Sequence, residues 1–281
     1  MNKRLLWLFL AATLAFLLVF LLFADAGKSL ARGYAMGTIV EIRGRHAERA
    51  LEEIKRLEKL FDKKRVGSDV WLINSLAGLA RVEVSADTLR VVKQSIEASK
   101  LTNGAFDITE KNYRDIVVDE KAKTIFLKQK EERIDLGGIA KGYAVEAARE
   151  KLRQLGDKAA LVNMISSIAV IGSPEGHSAW KIGIKDPKAP DELAGTVELK
   201  DGQALSTSGD YERGTHIIDP KTGRAVSSKI ASVTIVTRDA GLADALTTAF
   251  FVMGKEKGIK MLKKIPVDAY FIVLKDGTIL K

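Results

Sequence analysis

Asp244 and Thr248 lie four residues apart in the apolar run Leu242–Met253. At that spacing on a helix the two side chains share a face. A carboxylate and a hydroxyl there can converge on one hard cation, leaving room for a backbone carbonyl and ligand oxygens, the donor set that Mg²⁺ prefers. The same pair has a second reading: Asp244 caps the helix and Thr248 bonds back to it. An Asp among Leu242, Ala243, Ala245 and Leu246 is costly to bury without a partner. The other chemical stretch is Ile134–Tyr143, where Asp135 precedes Gly137-Gly138 and Lys141 follows, ahead of the helix-forming run Ala144–Gln154. Glycines let the backbone approach a ligand, and a helix start offers free N–H groups to an anion. This turn is expected to hold a phosphate-bearing ligand beside Asp135 and Lys141. The alternative is an ordinary strand–turn–helix corner.

Further polar groups are scattered. Asn103-Gly104 stops a helix, and Ala105-Phe106-Asp107 follows at once, either a binding corner or a strand start with Phe106 in the core. Ser206–Gly223 is dense in polar and glycine residues and reads as a loop between strands, where ligand contacts concentrate. In it His216 could serve as a general acid or base, or merely as polar surface. The chain holds no cysteine, which excludes disulfides, thiolate metal sites, a cysteine nucleophile and lipid attachment through an N-terminal cysteine. Its net charge of +9 comes from Lys and Arg interspersed with acids, as in Lys128–Arg133. No basic stripe carries interleaved aromatics, so a nucleic-acid partner is not expected. No Walker loop, GxGxxG, HExxH or GxSxG occurs.

The elements that must position these groups follow from periodicity. Met1–Arg4 is basic and Leu5–Phe23 is unbroken apolar sequence. As a helix this run is about 28 Å long, near the thickness of a bilayer core. Residues 1–26 are therefore read as a membrane anchor or signal segment, with Lys3 and Arg4 cytoplasmic, and residues 27–281 as the exported folded unit. Strands are expected at Tyr34–Arg43, Val82–Val84, Ile116–Val118, Thr124–Leu127, Ala159–Asn163, Ile168–Ile171, Trp180–Ile184, Thr196–Leu199, Ala204–Leu205 and Ser232–Val236, with a final hairpin at Tyr270–Leu274 and Thr278–Leu280. Helices are expected at His46–Phe61, Val70–Leu76, from Ser85 to Leu101 with Leu89, Val92 and Ile96 inward, at Leu242–Met253 and at Lys255–Lys264. His46 is read as a surface residue. Strands in consecutive groups with helices between them give an α+β fold, mostly antiparallel sheets packed with helices, after the N-terminal apolar helix.

Together these stretches resemble the ApbE family, the FAD:protein FMN transferases. The resemblance spans nearly all the chain after the apolar segment. It rests on Met36-Gly37-Thr38, Gly104-Ala105-Phe106-Asp107, Asp135-Leu136-Gly137-Gly138-Ile139-Ala140-Lys141-Gly142, Ser206-Thr207-Ser208-Gly209, His216-Ile217-Ile218-Asp219-Pro220 with Gly223, and Ala243-Asp244-Ala245 with Thr248. It implies Mg²⁺-dependent transfer of FMN from FAD to a Thr or Ser hydroxyl of a target protein, with release of AMP, at the outer face of an inner membrane. It implies a cation held by Asp244, Thr248 and the Gly138 carbonyl. FAD would contact Met36, Ala105, Phe106, Asp107, Asp135, Lys141 and Thr215, and His216 would accept the hydroxyl proton. Two positions depart from the family pattern: Ile165-Ser166-Ser167 replace a Gly-Gly-Asp or Gly-Gly-Asn, and Lys64 replaces an aromatic. They motivate the reading of a flavin-binding protein without catalysis; a further alternative is hydrolysis at the same site, FAD to FMN and AMP with water as acceptor.

Overall fold

The computed structural model describes residues 29–109, 111–189, 191–209, 217–226 and 228–281. The apolar segment 1–26, Thr215 and His216 lie outside the described residues.

The chain opens with a hairpin of β1 (Leu30–Ala35) and β2 (Thr38–Arg43). Its turn is Met36-Gly37, both in the left-handed region at φ 51 and 74. The sequence suggested one strand from Tyr34 to Arg43. A two-residue hairpin turn of this kind has positive φ at both centres, and Met36 carries no signal for that. Helix α1 (Ala47–Phe61) buries Ala47, Ala50, Leu51, Ile54, Leu57 and Phe61, a stripe at three- and four-residue spacing. A short helix α2 (Asp69–Ser75), capped by Ser68, leads to β3 (Val82–Glu83). Helix α3 (Ala86–Leu101) starts at Ser85, whose Oγ accepts from the Thr88 amide at 3.1 Å. Its buried face is Thr88, Val91, Val92, Ser95 and Ala98, with Leu89 and Ile96 only at the edge. Ser95 satisfies its own hydroxyl on the Val91 carbonyl, so a small polar side chain goes inside while the bulkier ones flank it.

The expected strands β4 (Ile116–Asp119) and β5 (Thr124–Leu127) form a hairpin, and β3 pairs with β5 to complete a three-stranded sheet. Helix α4 (Ala140–Gln154) precedes β6 (Ala160–Asn163), β7 (Ser167–Ile171), β8 (Trp180–Lys185), β9 (Leu193–Leu199) and β10 (Ala204–Gly209). Then come β11 (Ile218–Asp219), β12 (Arg224–Ala225), β13 (Ile230–Thr237), helix α5 (Ala240–Leu262), β14 (Ala269–Leu274) and β15 (Ile279–Leu280). The central sheet has eight strands in the order β1-β2-β6-β7-β10-β13-β14-β15, antiparallel throughout.

Both faces of that sheet are covered, which is why β13 is buried along its whole length. One face packs on the helices through Ala169, Ile171, Val233, Ile235, Ile272 and Leu274. The other packs on the β8–β9 hairpin through Ile168, Val170, Phe271 and Val273, with Trp180 and Ile182 opposite. Alternate residues of one strand thus serve two cores. The α+β class with antiparallel sheets holds. Ser206–Gly209, however, is the end of β10 rather than loop. Ser-Thr-Ser-Gly is loop-like in composition, but β7 and β13 flank it on either side, and its hydroxyls bond sideways: Ser206 to Ser167 at 2.7 Å, Thr207 to Thr234 at 2.9 Å, Ser208 to Thr247 at 2.9 Å.

Candidate active site

Three elements meet where β10 ends: the start of α4, the first turns of α5, and the corner after α3. Asp239 caps α5, its Oδ1 accepting from the Leu242 amide at 2.9 Å and both oxygens accepting from Gln94. That excludes Asp244 as the cap. Asp244 sits in the second turn with 3% of its surface exposed. Its Oδ2 accepts from the Gly142 amide of α4 at 3.0 Å, and its Oδ1 accepts from Ser206 Oγ at 3.2 Å. Lys141 Nζ stands 3.9 Å from Oδ2. A buried carboxylate is tolerable here because two donors, an ammonium and a helix N-terminus surround it. The contact demands glycine: a Cβ on Gly142 would lie 2.2 Å from the Ala240 carbonyl oxygen and 2.8 Å from Asp244 Cβ.

The glycine turn is arranged differently from the expectation. Gly137 donates to Asp135 Oδ1 at 2.9 Å, and Gly142 donates to Asp244. Two amides offered to an incoming anion are therefore already bonded to the protein's own carboxylates. Lys63 Nζ donates to Asp135 Oδ2 at 2.7 Å, a partner 72 residues away that sequence pattern does not reveal. Gly138 abuts Thr248: a Cβ there would lie 3.4 Å from Thr248 Oγ1. Thr248 Oγ1 also reaches the Asp244 carbonyl at 3.4 Å, so the back-bond and the convergence on Gly138 coexist.

Around these groups runs a cleft of about 350 Å³. Ala105, Phe106, Asp107, Asp135, Gly138, Lys141, Asp244 and Thr248 all line it. Met36 does not; its neighbour Thr38 does, while the Met36 amide donates to Glu58 Oε1 at 2.6 Å in the hairpin turn. The corner Ala105-Phe106-Asp107 serves both readings at once, since Phe106 is 2% exposed and still faces the cleft. Asp107 accepts from the Thr109 and Tyr113 amides at 2.8 and 2.9 Å. Burial nevertheless raises its carboxyl above the usual range, these hydrogen bonds opposing the shift.

Sequence reasoning gave four further cleft residues no named role. Thr207 and Ser208 were in a stretch read as a loop that collects ligand contacts, and Ile165 and Ser166 were departures from the family pattern; all four line the cleft. Ile165 holds φ 62, a left-handed backbone rare for a β-branched residue, fixed by the Asn163 carboxamide oxygen accepting from its amide at 2.8 Å. His46 is more than surface, its Nδ1 lying 2.5 Å from Asp157 Oδ1. Glu132, in the charge-rich stretch Lys128–Arg133, is 1% exposed. Among the described residues no three His, Asp or Glu side chains are grouped to hold a metal ion.

The comparison with known proteins bears on this geometry. The ApbE family model matches residues 36–112 and 109–271. A FAD:protein FMN transferase of Klebsiella pneumoniae (strain 342) is 30% identical over 272 residues, covering 83% of this chain and 84% of that protein. The crystal structure of the ApbE protein from Thermotoga maritima superposes with a TM-score of 0.82 at 32% identity, over 90% of this chain and 96% of that one. The apo flavinyl transferase ApbE of Pseudomonas stutzeri gives 0.79 at 25% identity, over 92% and 94%. With the Asp244 junction and the glycine turn both inside the matched residues, the chain belongs to the ApbE family.

Proposed function

We propose that this chain transfers FMN from FAD to a Thr or Ser hydroxyl of a target protein, releasing AMP. The observation that carries the reading is the cleft in which Asp244, Thr248 and Gly138 stand beside Asp135, Lys141 and the Ala105–Asp107 corner. The acceptor oxygen forms a bond to the FMN phosphorus, the bond from that phosphorus to the bridging oxygen breaks, and AMP leaves with that oxygen. The hydroxyl proton goes to a base, for which His216 is the candidate. Lys141, with one-fifth or less of its side chain exposed, supplies a cation beside the diphosphate.

The donor set fits a hard cation. Asp244 is buried, and its two hydrogen bonds leave lone pairs of both oxygens unused. With Thr248 Oγ1 and the Gly138 carbonyl it makes an all-oxygen set of one charge, the kind Mg²⁺ completes with water and phosphate. When bound, Mg²⁺ would offset the negative charge that builds on the diphosphate. FAD would be contacted by Ala105, Phe106, Asp107, Asp135 and Lys141 in the cleft, by Thr215, and by Met36 where the ligand extends past Thr38.

The sequence of residues 1–26 supports an anchored domain on the extracytoplasmic face. Resistance of the chain to alkaline extraction from membranes, with protease access from outside, is the expected result. The catalytic reading is tested by incubating the full chain in detergent with FAD, Mg²⁺ and a threonine-bearing target, then weighing the target. An increase equal to FMN, matched by AMP, is expected. AMP without adduct would point to hydrolysis, and neither product would end the proposal.

A further inference from the structure

A second cleft, of about 520 Å³, opens on the far side of the Ala105 corner. Lys257 and Lys260 line it from the last turns of α5, where a spacing of three residues puts them on one face, and Lys264 lines it from the turn that follows the helix. Lys221 joins them from the β11–β12 turn. None of the four has an ion-pair partner among the described residues, and all are exposed. The one carboxylate in the lining, Asp219, is already engaged by the Lys221 amide at 2.9 Å and the Thr222 hydroxyl at 3.1 Å. The floor is apolar: Leu101 is 51% exposed, and Val252 and Met253 are half-buried.

Four unpaired ammonium groups over an apolar floor repel one another and attract a negatively charged partner that also has carbon to bury. The two clefts share one wall. Ala105 lines both; Ile218 and Pro220 face the first, Asp219 and Lys221 the second. A polypeptide whose hydroxyl enters the first cleft can lay its next residues in the second. We propose that the lysine-lined cleft docks an acidic segment of the acceptor polypeptide flanking the hydroxyl to be modified. This rests on the flavin-transfer reading of the first cleft. Methionine at Met253 and Met261 suits a surface that adapts to more than one such segment.

The test is binding, read without turnover. Two fluorescein-labelled peptides are titrated with the full chain in detergent and FAD: one threonine flanked by four aspartates, and the same peptide with asparagines. The acidic peptide is expected to bind about tenfold tighter, as several exposed ion pairs acting together allow, and to lose that margin in high salt. Combined Lys257→Glu, Lys260→Glu and Lys264→Glu should abolish the preference, the corresponding Gln variants should reduce it, and Lys151→Glu on α4 should leave it in place. Equal binding of the two peptides, or a preference indifferent to the lysines, overturns the proposal. So does equal, lysine-dependent binding to phosphatidylglycerol vesicles. Absence of any FMN adduct on any target would instead remove the flavin-transfer reading, an outcome separate from the binding result.

Discussion

Asp244 concentrates the chemistry at the scale of single residues. Asp244→Asn keeps the shape and one acceptor but removes the charge. Mg²⁺-dependent AMP release should fall by about two orders of magnitude or more, with a thermal midpoint near or above the parent, because a buried charge no longer has to be desolvated. Asp244→Ala should also lower the midpoint, since the Gly142 amide and Ser206 hydroxyl lose their acceptor, at about 1–3 kcal/mol. Calorimetry and AMP chromatography separate the two. Glu132 gives a pH signature. Burial, followed by the charges of Asp115 and Asp107, lifts its carboxyl from 4.5 to about 7, and the Asn112 amide and Lys111 offset this only in part. Neither oxygen has a hydrogen-bond partner of good geometry among the described residues. The folded state holds the proton more tightly than the unfolded one. This group's contribution is therefore full below pH 4.5 and is lost as pH rises through about 7. Melting curves across that window should decline, and Glu132→Gln should flatten the decline.

The site depends on how elements touch, and here the sequence was legible in part. The Asp244–Thr248 pair could be read from spacing alone, because helix geometry fixes which residues share a face. The glycine turn could be read as a corner, but not which anions it holds: Gly137 and Gly142 bind Asp135 and Asp244, one contact local and the other 102 residues away. Helix periodicity carries no information on such long-range partners. Polar strand β10 and the Met36 turn were illegible for a related reason, since flanking strands and hairpin twist, rather than local propensity, decide them. Gly142→Ala tests the helix contact. The added methyl meets the Ala240 carbonyl and must push α4 and α5 apart, costing about 1–3 kcal/mol, with loss of AMP release exceeding the loss of stability. Asp239→Ala should cost about 1 kcal/mol by uncapping α5. Urea unfolding of both variants checks these figures.

Across the whole molecule, one antiparallel sheet is covered by helices on one face and a hairpin on the other. The site lies at an edge of the helical layer, where α4, α5 and the end of β10 converge. The sheet is rigid because both faces are filled, so the ligands of one cleft can come from Thr38 to Thr248 and still hold a fixed arrangement. FAD and Mg²⁺ binding only the folded state should together raise the thermal midpoint more than either alone, and the Mg²⁺ increment should vanish in Asp244→Asn.

The most direct test of the account is a chromatogram of AMP formed from FAD by the full chain with a threonine-bearing acceptor, with and without Mg²⁺, for the parent and Asp244→Asn. AMP, matched by FMN on the acceptor, is expected only in the parent and only with Mg²⁺. Undiminished AMP and adduct from Asp244→Asn, or from the parent stripped of divalent cations, would contradict it.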